Sequence, residues 1–324
     1  MKTTLKYALP MLIGLTAAMP AIAADLACKN LRWIVPASAG GGQDWVSRLI
    51  TDRLAKKLPD VTILVENRGG ADGSVAAEAL KSAPADGCTV MSISNSQLGA
   101  QAVRGAESFG FDLVKDAEPV AKLVSTPYFI TAWDSLGVKS LPELIVKAKD
   151  APNSIKFSTS GPASLQSFLY AKLNRQAGIE MIKVNYKGGG DMYADFISGR
   201  VPLFLAFPYE VKQYVEDGKA HMLSVSSAKR HPRYPDIPAV SETLPGFDLT
   251  QFYGVITRAG APAQTVDVLS AAIADVLASE DVNKILVTET SYLVETGDRE
   301  EFRTEIASII QGFETTATEI GLKK

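Results

Sequence analysis

Arg32-Trp33-Ile34-Val35-Pro36-Ala37-Ser38-Ala39-Gly40-Gly41-Gly42-Gln43-Asp44 is the stretch from which the rest of the chain is read. A short apolar strand runs into a loop of small residues holding three consecutive glycines. The loop then opens an amphipathic helix over 43–58, in which Val46, Leu49, Ile50, Leu54 and Leu58 recur at helical spacing. Backbone N–H groups of such a loop, at the positive end of a helix, favour an anion. The GxGxxG spacing of a dinucleotide site is absent, so a small carboxylate is expected rather than a nucleotide. The three glycines carry two readings, a tight turn needing positive φ and close backbone approach to a ligand, and spacing alone leaves both open.

Upstream of this stretch, residues 1–23 read as a secretion signal. Lys2 and Lys6 form a positive start, an apolar run around Leu9, Met11, Leu12, Ile13 and Leu15 follows, and Ala21-Ile22-Ala23 supplies a cleavage site. The run is shorter than the roughly 20 residues a membrane span needs. A mature protein in the periplasm is therefore expected. Loss of Lys2 and Lys6 moves the formal net charge from −3 to −5, and that mild acidity gives no support for a nucleic-acid or polybasic membrane partner. Roughly 300 mature residues exceed the usual single domain, so two domains are expected.

Downstream, strand and helix patterns alternate. A strand at 61–65, a turn through Glu66-Asn67-Arg68-Gly69-Gly70-Ala71-Asp72-Gly73, a helix at 74–82 and a strand at 89–94 follow, the last ending in the polar loop Ser94-Asn95-Ser96. This alternation implies an α/β class with helices on both faces of a parallel sheet. A second series places strands at 128–133, 155–158, 181–184 and 201–206 between helices at 141–149, from 165 onward and up to 198. Within it, Thr159-Ser160-Gly161-Pro162-Ala163-Ser164 precedes a helix with Leu165, Phe168, Leu169 and Leu173 on one face, repeating the plan of the opening stretch. Strands at 222–226 and 251–257 and helices at 263–278 and 299–320 complete the chain. No linker separates consecutive domains, which fits two domains joined by crossing strands.

Cys28 and Cys88 are the only cysteines, each just ahead of an expected strand. In a doubly wound sheet of order 2-1-3 those strands are parallel neighbours, and their starts lie close enough for a disulfide. An oxidising compartment favours the bond; two free thiols are the alternative. A third reading makes Cys28 a lipid-bearing N-terminus, opposed by Asp25 and by the competing cleavage site.

The candidate ligand contacts begin with Ala37, Ser38, Ala39, Gly40, Gly41, Gly42 and Gln43. Ser94, Asn95 and Ser96 lie at the carboxyl end of a strand, where open α/β sheets bind ligands, with local turn bonding as the competing use. Ser160, Gly161, Ala163 and Ser164 sit at a helix start, where N-capping competes with ligand contact. Tyr186, Lys187 and Gly188 are candidates for the cleft, and packing is the other reading of Tyr186. Phe207, Tyr209, Phe252 and Tyr253 are candidates for selectivity, as wall or as stacking platform for an aromatic acid. Asp44 is expected to cap its helix or bond its own loop, because it would repel an anionic ligand. His221 and His231 lack metal-site spacing, and no metal or cofactor is expected.

Several stretches occur in the order and spacing of a known family: Val35-Pro36 through Gly40-Gly41 to Asp44, Val65-Glu66-Asn67-Arg68 with Gly70 and Gly73, and Ala85-Asp86-Gly87. Ser160-Gly161, Val184-Asn185-Tyr186-Lys187-Gly188, Ser226-Ser227-Ala228-Lys229-Arg230 and Asp236-Ile237-Pro238-Ala239-Val240 continue the series. In these stretches the chain resembles the extracytoplasmic solute receptors of tripartite tricarboxylate transporters, the Bug family. The resemblance implies a type II-like, two-lobed periplasmic binding protein, each lobe a mostly parallel sheet flanked by helices. One lobe takes 24–122 with 225–324, the other 123–224. It also implies that the loops at 37–43 and 160–164 hold the ligand's carboxylate, largely through backbone groups and bound water. The chain departs from the family pattern at Ala37, where Phe is usual, at Ala39, where Pro is usual, and at Ser167, where His is common. Phe207-Pro208-Tyr209 replaces a more polar stretch that often bears an Asp.

These readings imply a monomeric periplasmic receptor that captures a di- or tricarboxylate or an aromatic acid by hinge closure and delivers it to membrane transporter subunits. A secreted hydrolase and a sensor for a membrane signalling partner are the alternatives. Against the hydrolase, GxSxG and HExxH are absent, and a Ser-His-Asp triad would need His221 or His231. Proline at Gly41 is expected to abolish binding without unfolding the chain.

Overall fold

The computed structural model describes residues 26–159, 164–186, 189–295 and 297–319. The expected signal at 1–23 and the expected contacts Ser160, Gly161, Ala163, Lys187 and Gly188 lie outside the described residues. In chain order the elements are β1 (Asn30–Val35), α1 (Gly42–Lys57), β2 (Thr62–Asn67), α2 (Ser74–Lys81), β3 (Thr89–Ser94), α3 (Asn95–Arg104), α4 (Ala106–Phe109) and β4 (Ala117–Pro127). There follow β5 (Phe129–Trp133), α5 (Leu141–Asp150), β6 (Lys156–Thr159), α6 (Leu165–Ala177), β7 (Ile182–Asn185), α7 (Gly189–Ile197), β8 (Leu203–Ala206), α8 (Pro208–Glu216) and β9 (Ala220–Val225). The chain closes with α9 (Val240–Thr243), β10 (Thr250–Arg258), α10 (Ala263–Leu277), α11 (Glu280–Asn283), β11 (Leu293–Val294) and α12 (Arg299–Glu319).

The opening strand shows why a sheet with two covered faces results. Leu31, Trp33 and Val35 point one way and pack with Val46, Ile50 and Leu54 of α1. Ile34 points the other way, onto Ala76, Ala77 and Leu80 of α2. That is the period-2 alternation of a strand buried on both sides. The first sheet has the order β11-β4-β10-β3-β1-β2, and the second β7-β6-β8-β5-β9. Each has a parallel part built from strand–helix–strand units, β2-β1-β3 and β7-β6-β8. Each also has an antiparallel part formed by strands that lead across to the other sheet, β4 with β10 and β5 with β9. The sheets are therefore mixed, because a strand that returns after a crossing enters in the opposite direction.

The two crossings are bonded to each other. The backbone of Tyr128, between β4 and β5, and that of Ser226, just after β9, join through Ser226 N to Tyr128 O at 2.8 Å. The buried Ser226 hydroxyl accepts from Tyr128 N at 3.0 Å and donates to Leu249 O at 2.6 Å. One small side chain thus ties both routes between the sheets. Cys28 and Cys88 form a disulfide with Cα atoms 5.5 Å apart, at the starts of parallel neighbours β1 and β3 as the 2-1-3 order requires.

The segment after β3 differs from the expectation. Ser94-Asn95-Ser96 is not a loop but the start of helix α3. Ser94 caps it, accepting from Ser96 N at 3.3 Å, while Gln97 Oε1 returns to Ser94 N at 2.8 Å. This is the reciprocal capping box of a Ser-x-x-Gln sequence, and it converts a run of polar residues from turn to helix. No helix among the described residues is long and apolar enough to cross a membrane.

Candidate functional site

Four helices begin around one cavity of ≈ 170 Å³ between the two sheets. Gln43 reaches it from the first turn of α1, Ser94 and Ser96 from the start of α3, Ser164, Leu165 and Gln166 from the start of α6, and Phe207 from the start of α8. Tyr128 of the crossing and Gln251 and Tyr253 of β10 complete the wall. The first-turn N–H groups of a helix have no partner within it, so the convergence makes a site suited to an anion.

The glycine loop is held from beneath by Asp44, which is 2% exposed. Its carboxylate accepts from Gly40 N at 2.8 Å, from Asn67 Nδ2 at 2.8 Å and from Arg48 Nε at 3.0 Å. Asn67 Nδ2 also bonds Ala37 O at 3.1 Å. Burial by itself would raise the Asp44 carboxyl, but the bonds from Gly40, Arg48 and Asn67 outweigh it and hold the pKa below the ordinary value. Asp44 thus serves its own loop. The neighbouring Glu66 receives both Nε and a terminal nitrogen of Arg32, at 2.7 and 2.9 Å, and Arg68 at 2.9 Å. Those bonds, Arg32's foremost, lower it to about 2, and they fix the β2 end that presents Asn67.

The turn reading of the glycines holds at one position. Gly40 has φ +83°, the left-handed region. Gly41, the N-cap of α1, has φ −77° and no side-chain cap. At Gly42 a Cβ would lie 2.8 Å from the Tyr253 hydroxyl, so the close approach there is by a phenol of β10.

Gln43 is 7% exposed, and its Nε2 has no hydrogen-bond partner among the described residues. A buried donor left unpaired costs about 1–3 kcal/mol, which an acceptor on a ligand would relieve. Across the cavity the rings of Tyr128 and Phe207 stack at 4.8 Å and 20°, and Tyr209 extends the stack at 5.9 Å and 16°. Tyr209 is 54% exposed. Glu210 Oε2 accepts from Phe207 N at 2.7 Å, so α8 already carries a carboxylate at its own N-terminus. Burial outweighs that bond and pushes Glu210 up to about 6. Burial likewise pushes Tyr253 up to about 12 and Tyr128 and Tyr209 above their ordinary value, so these phenols are protonated donors at neutral pH.

Of the residues singled out from sequence, Gln43, Ser94, Ser96, Ser164, Phe207 and Tyr253 meet at this cavity. Ser94 and Ser164 also cap α3 and α6, Ser164 accepting from Ser167 N at 3.3 Å. Others are placed elsewhere. Asn95 is buried, with Oδ1 accepting from Phe252 N at 2.8 Å and Nδ2 donating to Thr250 O at 3.2 Å, so its amide stitches α3 to β10. Phe252 faces the core against Phe302. Tyr186 donates to Asp195 Oδ2 at 2.6 Å, and burial together with that bond pushes it up to about 12. His221 lies 2.8 Å from Asp134, and His231 is buried against Ser291 O at 3.0 Å.

Tyr128, Leu165, Gln166 and Gln251 were not singled out from the sequence. Gln251 was within reach: with Phe252 in the core, period-2 alternation puts 251 and 253 on one face. Tyr128 gave no local signal, since its place depends on the crossing.

Two lobes, each a mixed sheet flanked by helices and joined by paired crossings around a cavity, define the periplasmic-binding-protein class. The structure is similar to that of an R. palustris protein with adipate, at TM-score 0.76 and 27% identity over 90% of this chain and 97% of that one. It is also similar to MatC of Rhodopseudomonas palustris with bound malate, at TM-score 0.73 and 26% identity over 89% and 98%. A UPF0065 protein of Bordetella bronchiseptica is 32% identical over 250 residues, 77% of this chain and 73% of that relative. The family model for the tripartite tricarboxylate transporter family receptor matches residues 46–305. The chain belongs to that receptor family.

Proposed function

We propose that this receptor captures a small organic carboxylate in the cleft between its lobes and passes it, in the periplasm, to the membrane subunits of a tripartite tricarboxylate transporter. The observation that carries the reading is the cavity at which four helices start, whose wall includes Gln43, with an Nε2 that has no partner among the described residues. A carboxylate supplies acceptors to Gln43 and to first-turn N–H groups at once. The adipate and malate complexes of the two relatives support the same class. The loop at 37–43 and the helix starts at Ser94–Ser96 and Ser164 form the contact set, with Lys187 and Gly188 as further members from the second lobe.

In this reading 24–122 with 225–324 make one lobe and 123–224 the other, turning about the bonded pair Tyr128 and Ser226. Closure is favoured because the ligand reaches donors of both lobes only when the cleft is shut. The ligand leaves unchanged, the protein acting as a monomeric receptor and not as an enzyme.

The test is a thermal-shift screen of carboxylates and neutral amides on the mature chain, followed by calorimetry and mass spectrometry of the recovered ligand. A carboxylate that raises the melting point and is recovered intact is expected, with Gln43→Leu weakening it at least about tenfold, as for loss of a hydrogen bond to a charged group. Turnover of the compound, or binding indifferent to Gln43, would refute the reading.

A further inference from the structure

Helix α12 reaches past its own sheet. Its buried stripe is Phe302, Ile306, Ile310, Phe313 and Ala317, at the spacing of one helix face. The first turns are fixed to strands of the first sheet. Phe302 meets Phe252 of β10 edge-on at 5.6 Å, Arg303 and Arg299 donate to the Glu118 carboxylate of β4 at 2.7 and 3.2 Å, and Lys122 of β4 donates to Glu305 at 2.8 Å. Further along, Phe313 stacks on Phe168 of α6, with ring centroids 4.5 Å apart and planes at 27°. Helix α6 belongs with the second sheet: it follows β6, and its Tyr170 ring lies 3.9 Å from that of Phe157 in that strand. We propose that the Phe168–Phe313 stack is a latch between the lobes, which holds them together without ligand and so sets how tightly the cleft binds. This inference rests on the hinge-closure reading and is independent of which compound binds.

Burial is what makes the contact count. Phe168 is 1% exposed and Phe313 5%, so parting the rings returns both to water, and aromatic pairs are favoured beyond the area they bury. The two crossings are then not the only link between the lobes. A turn about Tyr128 and Ser226 works against this contact, because an apolar interface restrains bodies that otherwise move freely. The contact is also local. Beside it α6 and α12 part around a groove of ≈ 790 Å³, with Lys172 and Gln176 on one wall and Ser308 and Thr316 on the other. A few side chains therefore carry the latch.

Its place ties it to the site. Ser164, Leu165 and Gln166, at the N-cap and first turn of α6, line the ligand cavity, and Phe168 lies one turn on from that N-cap. A helix transmits a displacement at Phe168 to its own first turn. Phe313 is thus a positioning residue: among the described residues that line the cavity none comes from α12. Releasing the latch raises the share of molecules whose lobes stand apart, and apparent affinity falls with the share left competent.

The experiment reads the lobes without ligand. Spin labels at Val75→Cys of α2 and Val146→Cys of α5, both exposed positions, report the distance between lobes by pulsed electron resonance, with the Cys28–Cys88 disulfide intact. The labelled chain is compared with the same chain carrying Phe313→Leu, Phe168→Leu or both, urea unfolding showing that each variant is folded. Leucine keeps the site apolar and removes the stack, and the two variants act from opposite lobes, so a failure of one to fold leaves the other. Each single change is expected to raise the separated population severalfold, and the pair no further than one alone. Unchanged distances in the single variants overturn the latch. Widening that adds up in the double variant overturns the stack as one unit. The closure reading is judged apart from this, on the labelled chain with both rings present, by whether adipate or malate, whichever raises the melting point, shortens the distance.

Discussion

Alanine at Gly42 should damage this protein through one atom. The added Cβ lies 2.8 Å from Tyr253 Oη, where ordinary contact begins near 3.4 Å, so one partner must retreat by about 0.6 Å. Tyr253 has little room to do so, for its residue sits mid-strand in β10 between β3 and β4 and its ring meets Tyr292 edge-on at 6.2 Å. Overpacking of this kind costs about 1–3 kcal/mol, and the better helix propensity of alanine returns at most about 1 kcal/mol. A net loss of about 1 kcal/mol in urea unfolding follows, with a larger effect on ligand affinity because the displaced phenol lines the cavity. The decisive comparison is a double-mutant cycle. In a Tyr253→Phe background the nearest atom of that ring is at 3.6 Å, so the same alanine should cost close to nothing, giving a coupling of about 1 kcal/mol. Gly41→Ala is the control: its Cβ meets only Ser38 O, at 3.6 Å. Additive effects at 42 and 253, or equal losses at 41 and 42, would show that the glycine is there for some other reason.

Other outcomes follow from the same geometry. Gly41→Pro should still fold, because φ at 41 is already −77° and proline fixes φ near −65°, but should weaken binding, because it removes an N–H of the contact loop, the one that donates to Ser38 O at 3.5 Å; calorimetry and urea unfolding separate the two. Asp44→Ala removes a buried acceptor shared by Gly40, Asn67 and Arg48, and urea unfolding should show a loss of about 2–4 kcal/mol, moderated by the half-exposed Arg48 regaining water. Burial pushes Glu210 up to about 6 in the folded chain from an ordinary 4.5, so the folded state holds the extra proton between those values and stability falls as pH rises through that window. Glu210→Gln should therefore match wild type near pH 4.5 and exceed it by up to about 2 kcal/mol at pH 7.5; a gain independent of pH would contradict this. Reduction of Cys28–Cys88, which closes a separation of 60 residues, should cost about 4 kcal/mol by the loop-entropy relation, read as the shift in urea midpoint with and without a reductant.

Much of the fold was legible because its signals are local. The helix from 43 and the strand at 89–94 follow from helical spacing, alternation and turn residues, and the two cysteines, in an assumed 2-1-3 order, favoured the disulfide that the structure holds. Helix α3 was missed although its Ser94-x-x-Gln97 capping box stood in the sequence, since Ser, Asn and Ser together also read as a turn. The site was legible in part for the same reason. Residues at helix starts declare themselves locally, and Gln43, Ser94, Ser164 and Phe207 are of that kind. Which of them share a cavity is not local information.

The sequence by itself determined the units: a strand, a small-residue loop and a helix, repeated through both lobes, with a family likeness running through them. Only the tertiary structure brought positions 43, 94, 164 and 207 around one space, turned Asn95 away to hold β10, and set the Tyr253 hydroxyl against Gly42. It also left Gln43 Nε2 with no partner among the described residues and bonded Glu210 to the N–H of Phe207, a residue of the cavity wall. The reason is physical. Propensity, capping and periodicity act over a few residues, whereas the partner of a buried donor is chosen by packing between segments that the chain itself keeps far apart.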